Sequence, residues 1–153
     1  MKRHDRTIRM LISLATISVL ACGPTPEPPA PEPAPTPSVD DDRAAIDGLM
    51  DRLSAAYANT DIDQLMDVYT DDLVYMGAGA PLVQGAADFR AANDPVGAYD
   101  LVMHNDEVVV TGDWGYARGT YDGNDQYLMI VRRGDDGVWR IAREIWNIAP
   151  DEE

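Results

Sequence analysis

The sequence predicts one α+β domain, in which two N-terminal helices pack against one face of a curved antiparallel sheet. Apolar residues recur every three or four positions between residues 40 and 69, the spacing of one helix face. After residue 99 the pattern changes to β-rich runs separated by Gly-Asp turn signals. Helices followed by antiparallel strands are typical of the α+β class.

The first helix is predicted in "DDDRAAIDGLMDRLSAAYANTD" and a second, shorter one in "DIDQLMDVY". Asp40 to Asp42 are the N-cap candidates of the first, and Asp61 and Gln64 have the spacing of a capping box in the second. The apolar stripes comprise Ile46, Leu49, Met50, Leu53, Tyr57, Ile62, Leu65, Met66 and Tyr69.

The strands follow the helices. A first hairpin is predicted where 74–76 and 82–84 flank "GAGAP", and "AADFRAAN" predicts a brief helix. Four further strands are predicted in "YDLVMHNDEVVVTGD", "WGYARGTYD", "QYLMIVRRG" and "VWRIAREIWNIA". The stretch "RRGDDGVW" indicates a hairpin between the last two.

The N-terminus has the pattern of an export signal. Four basic residues precede the uncharged run "MLISLATISVLA", which ends at Ala21. The run is too short to span a bilayer, which takes about 20 residues. We expect residues 1–21 to be removed as a signal peptide.

The residues before Cys22 resemble the lipobox of bacterial lipoproteins, in which the cysteine is acylated and becomes the new N-terminus. The resemblance implies a bilayer anchor at Cys22, and Gly23 after it implies the periplasmic face of the outer membrane of a Gram-negative bacterium. The alternative is an ordinary signal peptide cut after Ala21, which would leave an oxidation-prone thiol.

Residues 22–38 are predicted to form a disordered spacer, because eight of the sixteen residues after Cys22 are proline and none is large and apolar. Such a segment favours an extended polyproline II conformation. We therefore divide the chain into a signal peptide (1–21), an acylated cysteine with its linker (22–38), one domain (39–150) and an acidic tail (151–153).

Composition restricts the chemistry. Without residues 1–21 the chain has 8 arginines, 26 acidic residues and no lysine, a formal charge of −18. This charge repels phosphates, so we expect no nucleic-acid partner. Beyond Ser38 the only serine is Ser54, the only histidine is His104 and cysteine is absent. We therefore expect neither a covalent nucleophile nor a zinc site, and no cofactor.

The order of the elements resembles the SnoaL-like, ketosteroid-isomerase-related branch of the nuclear transport factor 2-like superfamily. The resemblance spans residues 43–148 and rests on "GLMDR", "NTDIDQLMDVYTDD", "LVQG", "GDWGYARGTYD" and "DDGVWRIAREIW". It implies a cone-shaped sheet wrapped around the helices, a pocket at the open end of the cone, and a homodimer.

The resemblance also shows what this chain lacks. Ketosteroid isomerase uses a carboxylate base, a tyrosine and a protonated carboxylic acid. The corresponding positions, counted from the motifs above, are Gly77, Leu53 and Met129. None of these side chains transfers a proton, so the family's own isomerase machinery is not expected here.

The resemblance implies a mainly apolar pocket for a small hydrophobic ligand. Its expected lining comprises Leu53, Tyr57, Tyr69, Arg118, Tyr127, Met129 and Trp146. For the aromatic residues, plain core packing is the alternative. Arg118 is assigned either to the pocket, paired with Glu144, or to an exposed sheet face or dimer interface.

The sequence favours one function and leaves two alternatives open. The favoured function is a membrane-tethered domain that binds a small hydrophobic ligand or a protein partner without catalysis. The second is an enzyme of the same fold, an isomerase, cyclase or hydratase with relocated acid and base groups, for which Glu144 and His104 are the candidates. The third is a structural envelope component that dimerises through its sheet.

Acylation of Cys22 can be tested by metabolic labelling with a palmitate analogue. We expect label in the wild-type protein and none in Cys22→Ser, which should also leave the membrane fraction, because several acyl chains hold a protein durably on a bilayer. Equal labelling of the two proteins would contradict the lipoprotein assignment.

Overall fold

The computed structural model describes residues 38–122 and 124–150. Cys22, the predicted signal peptide, the linker up to residue 37 and the acidic tail lie outside these residues. Within the described residues, no helix has the length and apolar character needed to cross a membrane.

Three helices and a six-stranded sheet make up the fold. The helices are α1 (Val39–Asn59), α2 (Ile62–Asp67) and α3 (Ala86–Asn93). The strands are β1 (Tyr69–Met76), β2 (Val83–Gln84), β3 (Met103–Thr111), β4 (Trp114–Tyr121), β5 (Asp125–Arg133) and β6 (Trp139–Asn147). In the sheet they lie in the order β2-β1-β6-β5-β4-β3. The α+β class, with N-terminal helices on a curved and unclosed sheet, is confirmed.

The sheet is mixed, which corrects the expectation of an antiparallel one. β1 pairs with β6 in parallel, while the remaining pairs are antiparallel. Sequence patterns report pairing mainly through the tight turns of hairpins. β1 and β6 stand at opposite ends of the domain sequence with no shared turn, so their relative direction left no local signal.

Two helix boundaries also differ from the prediction. Ser38, and not one of Asp40 to Asp42, is the N-cap of α1, and it forms a capping box with Asp41. α2 ends at Asp67, so Tyr69 begins β1 instead of closing the helix. The amide of Ile141 donates to the carbonyl of Val68 at 2.8 Å, and this sheet pairing overrides the helical spacing that includes Tyr69.

The core lies between α1, α2, α3 and the inner face of the sheet. Its largest fully buried side chains come from helices and strands alike: Phe89, Ile46, Leu49, Leu53, Leu65, Leu73, Met129, Ile141, Val68 and Val131. Burying one such side chain stabilises the fold by about 1.5–3 kcal/mol. The apolar stripe predicted for α1 is the face that fills this core.

A buried ion pair fixes the start of α1 to the sheet. The Asp42 carboxylate accepts from Arg133 Nη1 at 2.7 Å and from Trp139 Nε1 at 3.1 Å. The Arg133 guanidinium also lies 5.2 Å from the centre of the Trp139 ring. Breaking such a pair from one side costs about 3–5 kcal/mol, because a buried charge is left uncompensated.

The outer face of the sheet exposes large apolar side chains. Leu128, Ile130 and Ile145 are each 38–45% exposed, and Val109 and Trp114 lie on the same face. Groups of exposed apolar residues are typical of protein interfaces. The homodimer expected from the family resemblance stays a prediction, and this face is the surface on which to test it.

We expect the full-length protein to sediment as a dimer and the double variant Leu128→Arg/Ile130→Arg as a monomer, because two charges per copy would be desolvated in the interface. The control is Leu82→Arg, an exposed position on the connection between β1 and β2. A monomeric wild-type protein would contradict the prediction.

Candidate functional site

A cavity of about 350 Å³ opens beside the C-terminal half of α1, between the helices and the sheet. Its walls are mostly aromatic or acidic. It is lined by Leu53, Tyr57, Tyr75, Asn93, Tyr99, Leu101, Tyr121, Asp122, Asp125, Glu144 and Trp146. A site of this size, apolar on most sides with a few convergent polar groups, suits a small organic molecule.

Glu144 is the buried ionisable group of this cavity, with only 3% of its surface exposed. The Tyr69 hydroxyl donates to its Oε2 at 2.7 Å, and the Tyr121 hydroxyl donates to its Oε1 at 2.6 Å. Burial raises the pKa of the Glu144 carboxyl, and the two tyrosine hydrogen bonds oppose that rise in part. The cavity therefore contains a carboxyl group that holds a proton more tightly than a solvated one, so its carboxylate form is a stronger base.

A β-bulge turns Glu144 inward. In the β5–β6 ladder, Ile130 faces Arg143 but the next residue, Val131, faces Ile141, so Ala142 has no partner. Side chains alternate between the two faces of a strand, and one extra residue reverses that alternation. Without the bulge, Glu144 would share the face opposite to Ile141. With it, Glu144 joins the buried face.

The tyrosine hydroxyls of the cavity are hydrogen-bond donors at neutral pH. Burial, followed by the charge of Glu144, raises the pKa of Tyr75 to about 12 and raises those of Tyr57 and Tyr121 further. The Tyr75 oxygen accepts from Trp146 Nε1 at 2.7 Å, so its own hydrogen is available to a ligand. One buried carboxyl, that of Glu144, and several phenols thus meet in one cavity.

The three positions that the family resemblance assigns to the proton-transferring groups of ketosteroid isomerase lie close to this cavity. Leu53 is part of its wall, and Met129 is fully buried directly opposite Glu144 in the neighbouring strand. Gly77 lies against the hydroxyl end of Tyr75, where a Cβ atom would be 2.9 Å from Tyr75 Cε1. Glu144 is therefore the strand neighbour of Met129, the position that the family resemblance assigns to the oxyanion acid.

The sequence of the domain matches a known protein family. The sequence profile of the SnoaL-like domain matches residues 50–148. The chain belongs to the SnoaL-like domain family. No curated protein sequence matches it significantly.

Solved structures with the same fold include a ketosteroid isomerase-like protein from Erwinia carotovora atroseptica SCRI1043, which is 27% identical. The alignment covers 70% of this chain and 96% of that one, with a TM-score of 0.62. A conserved protein from Planctomyces limnophilus DSM 3776 is 25% identical over 72% of this chain and 98% of its own, with a TM-score of 0.62. An NTF-2 like protein of unknown function from Shewanella oneidensis MR-1 shares the fold at 16% identity, a TM-score of 0.60, and coverage of 70% and 99%.

The SnoaL-like domain brings only some of the sequence-predicted pocket residues together. Leu53, Tyr57 and Trp146 line the cavity, whereas Tyr69 lies beneath it and reaches it through Glu144. Met129 lies in the core and does not line the cavity.

Tyr127 and Arg118 line a second cavity of about 310 Å³, to which Trp146 also contributes. The suggested pairing of Arg118 with Glu144 is wrong, because Arg118 projects outward and binds Asp106 at 3.3 Å and Glu107 at 3.4 Å. Its location is therefore the exposed sheet face, one of the two assignments made from the sequence.

Of the two candidate proton-transferring residues, only Glu144 is in the cavity. The His104 side chain is 76% exposed and lies 3.9 Å from Asp106. Among the described residues, no group of three or more His, Cys, Asp or Glu side chains is placed to hold a metal ion.

Sequence reasoning missed seven of the lining residues: Tyr75, Asn93, Tyr99, Leu101, Tyr121, Asp122 and Asp125. For Tyr121 a signal existed. It continues the alternation of Gly115, Ala117 and Gly119, the small residues on the inner face of β4, and so it enters the space that they leave.

The burial of Glu144 makes stability depend on pH. A carboxyl whose pKa is higher in the folded state stabilises the fold at low pH, and that contribution is lost as the pH rises through the folded pKa. We therefore expect the free energy of unfolding of the wild type to fall relative to Glu144→Gln as the pH rises above about 4, by about 1.4 kcal/mol for each pH unit that separates the folded and unfolded pKa values.

Chemical denaturation across this pH range measures the difference. Glu107→Gln is the control, since the Glu107 side chain is 46% exposed. If the difference in free energy of unfolding between wild type and Glu144→Gln stays constant with pH, burial does not disfavour the ionised form of the Glu144 carboxyl.

Proposed function

We propose that this SnoaL-like domain is an enzyme that transfers protons on a small, largely apolar substrate, with Glu144 as the acid and base. The observation that carries the proposal is the burial of Glu144 at the wall of an aromatic cavity, where it is held by two tyrosine hydroxyls. Carboxyl groups that are buried and held by oriented hydrogen-bond donors are typical of active sites.

The reaction class that fits these groups is proton abstraction next to a carbonyl, as in isomerisation. The carboxylate of Glu144 takes the proton from carbon, and the electron pair of that C–H bond moves into a new C=C bond. The carbonyl oxygen then carries the negative charge, which the Tyr75 hydroxyl is available to stabilise. In a β,γ-unsaturated carbonyl compound the existing C=C bond is conjugated with this enolate. Return of the proton to the γ-carbon shifts that bond to the α,β position and restores the C=O, which completes the isomerisation without any added co-reactant.

Tyr69 and Tyr121 act as positioning residues in this scheme. Each donates to a different oxygen of Glu144, so together they fix the plane of the carboxyl group. Removing one hydroxyl leaves a buried acceptor unsatisfied, at a cost of about 1–3 kcal/mol. They also keep Glu144 from turning toward solvent.

The sequence alone favoured a binding domain without catalysis, because the three isomerase positions hold Gly77, Leu53 and Met129. Glu144 in the cavity supports the alternative of relocated acid and base groups. The two functions differ in one measurable respect, since a binding domain would not exchange a carbon-bound proton of its ligand.

We propose, further, that the enzyme works while tethered to a membrane through an acylated Cys22, at the periplasmic face of a Gram-negative outer membrane. The support is the resemblance of the residues around Cys22 to a lipobox. With eight prolines, the linker can hold the domain away from the lipid surface.

The function can be tested by deuterium exchange. We expect the full-length protein in D₂O to catalyse exchange at the α-carbon of small ketones, followed by NMR, in a panel with neutral, anionic and trimethylammonium side groups. Glu144→Gln should lower the rate about 10²–10⁴-fold, the usual contribution of a general base.

The matched control is Glu107→Gln, which removes a carboxylate on the outer face of the sheet and should leave the rate unchanged. Exchange by the wild type no faster than by Glu144→Gln, on every ketone of the panel, would leave a non-catalytic binding function as the better interpretation.

A further inference from the structure

We propose that the cavity selects small organic cations, above all alkylated ammonium groups, over neutral or anionic molecules of the same shape. This inference names the substrate class of the site described above and so rests on the proposed function. Its evidence is the charge of the cavity lining, the unneutralised burial of Glu144 and the arrangement of the aromatic rings.

The cavity lining is acidic. Asp122, Asp125 and Glu144 contribute three carboxyl groups, and no arginine, lysine or histidine of the described residues contributes to it. The lining therefore favours positive charge and repels a carboxylate or a phosphate.

The arginines of the domain are engaged elsewhere. Each contacts an acidic side chain or a backbone carbonyl that is not part of the lining. The partners are Asp40 for Arg43, the Trp139 carbonyl for Arg52, Asp63 for Arg90, Asp106 and Glu107 for Arg118, Asp72 for Arg132, Asp42 for Arg133, Asp136 for Arg140, and the Asp72 carbonyl for Arg143.

When it is ionised, the Glu144 carboxylate has hydrogen bonds but no counter-charge. Its two hydrogen-bond partners, Tyr69 and Tyr121, are neutral phenols. Buried charges in proteins are normally paired, since hydrogen bonds alone replace only part of the lost hydration. A cation in the cavity would supply the missing pair.

The two aspartates hold fixed places at the rim. Asp122 Oδ1 accepts from the amide of Val102 at 3.0 Å, and Asp125 Oδ1 accepts from the amide of Ala149 at 2.9 Å. In each case the second carboxylate oxygen remains for a ligand. These backbone contacts keep the charges in place without neutralising them.

The aromatic rings add a second attraction for cations. Tyr57 and Tyr99 meet edge to face at 5.7 Å, and Tyr121 and Trp146 meet edge to face at 6.1 Å. The face of an aromatic ring attracts an ammonium group, and tryptophan does so most strongly. Methyl groups on the nitrogen would also fill the apolar space between the rings.

The same cavity does not suit a metal ion. No cluster of carboxylates in the described part of the chain has the spacing of a metal site. A hard cation needs several oxygen ligands at short range. An organic cation with a diffuse charge can instead be bound by separate carboxylates and by the faces of aromatic rings, and this cavity contains both.

Three probes of nearly equal shape test the inference: choline, its neutral isostere 3,3-dimethylbutan-1-ol, and 3,3-dimethylbutanoate. Binding to the full-length protein is measured by calorimetry and by the indole NH resonance of Trp146, at about 0.15 M salt to screen distant charges. We expect choline to bind at least tenfold more tightly than the alcohol and the anion to bind most weakly.

Two variants separate the local charge from the overall negative charge. Glu144→Gln should remove most of the preference for choline over the alcohol. Asp51→Asn removes one carboxylate from the exposed side of α1 and should keep the full preference. Trp146→Leu should weaken choline more than the alcohol, which tests the ring contribution by itself.

Equal or tighter binding of the alcohol, tightest binding of the anion, or no choline binding below about 10 mM would each overturn the inference, since 10 mM corresponds to very weak association. Binding is measured without turnover. If choline is not preferred, the deuterium-exchange experiment still tests the proposed function. If the protein catalyses no exchange, the binding experiment still tests the preference for choline.

Discussion

The burial of one carboxyl group, Glu144, is the constraint on which the rest of this site depends. Removing a carboxyl from water is unfavourable, so the fold must compensate with well-placed donors. Tyr69 and Tyr121 supply them from two strands that are distant in sequence. β1, β4 and β6 must therefore keep one relative position, and the cavity beside them is shaped by that requirement.

A single unpaired residue makes this arrangement possible. The bulge at Ala142 lets β6 present Ile141 to the core and, three residues later, Glu144 to the same side. In a regular strand, Glu144 would lie on the outer face of the sheet. In this structure that face carries the exposed Ile145 instead. The chemistry of the site thus follows from backbone register as much as from the choice of side chain.

Much of the fold was predictable because its signals are local. The spacing of apolar residues predicts the buried stripe of α1 and the limits of α3. Turn residues predict the hairpins that lead into β2 and β6. The parallel contact of β1 with β6 and the strand position of Tyr69 come from long-range pairing, which leaves no such trace.

The site was less predictable for the same reason. Leu53, Tyr57 and Trp146, which the family resemblance assigned to the pocket, line the cavity. Glu144 was a candidate as a carboxylate of the last predicted strand. The bulge that turns Glu144 inward interrupts the alternation on which strand reasoning depends. Tyr99 and Leu101 belong to an irregular segment before β3, and there no periodicity says which side chains turn inward.

The ion pair of Asp42 with Arg133 has a mechanical consequence. The chain enters the domain at Ser38, so any pull transmitted along the preceding residues first meets the start of α1. There Asp42 joins the helix to β5 and β6. Tyr57 lies about 22 Å further along the same helix, at ~1.5 Å per residue. Tension on the N-terminus would therefore act first on this ion pair, at the end of α1 that lies away from Tyr57 and the cavity.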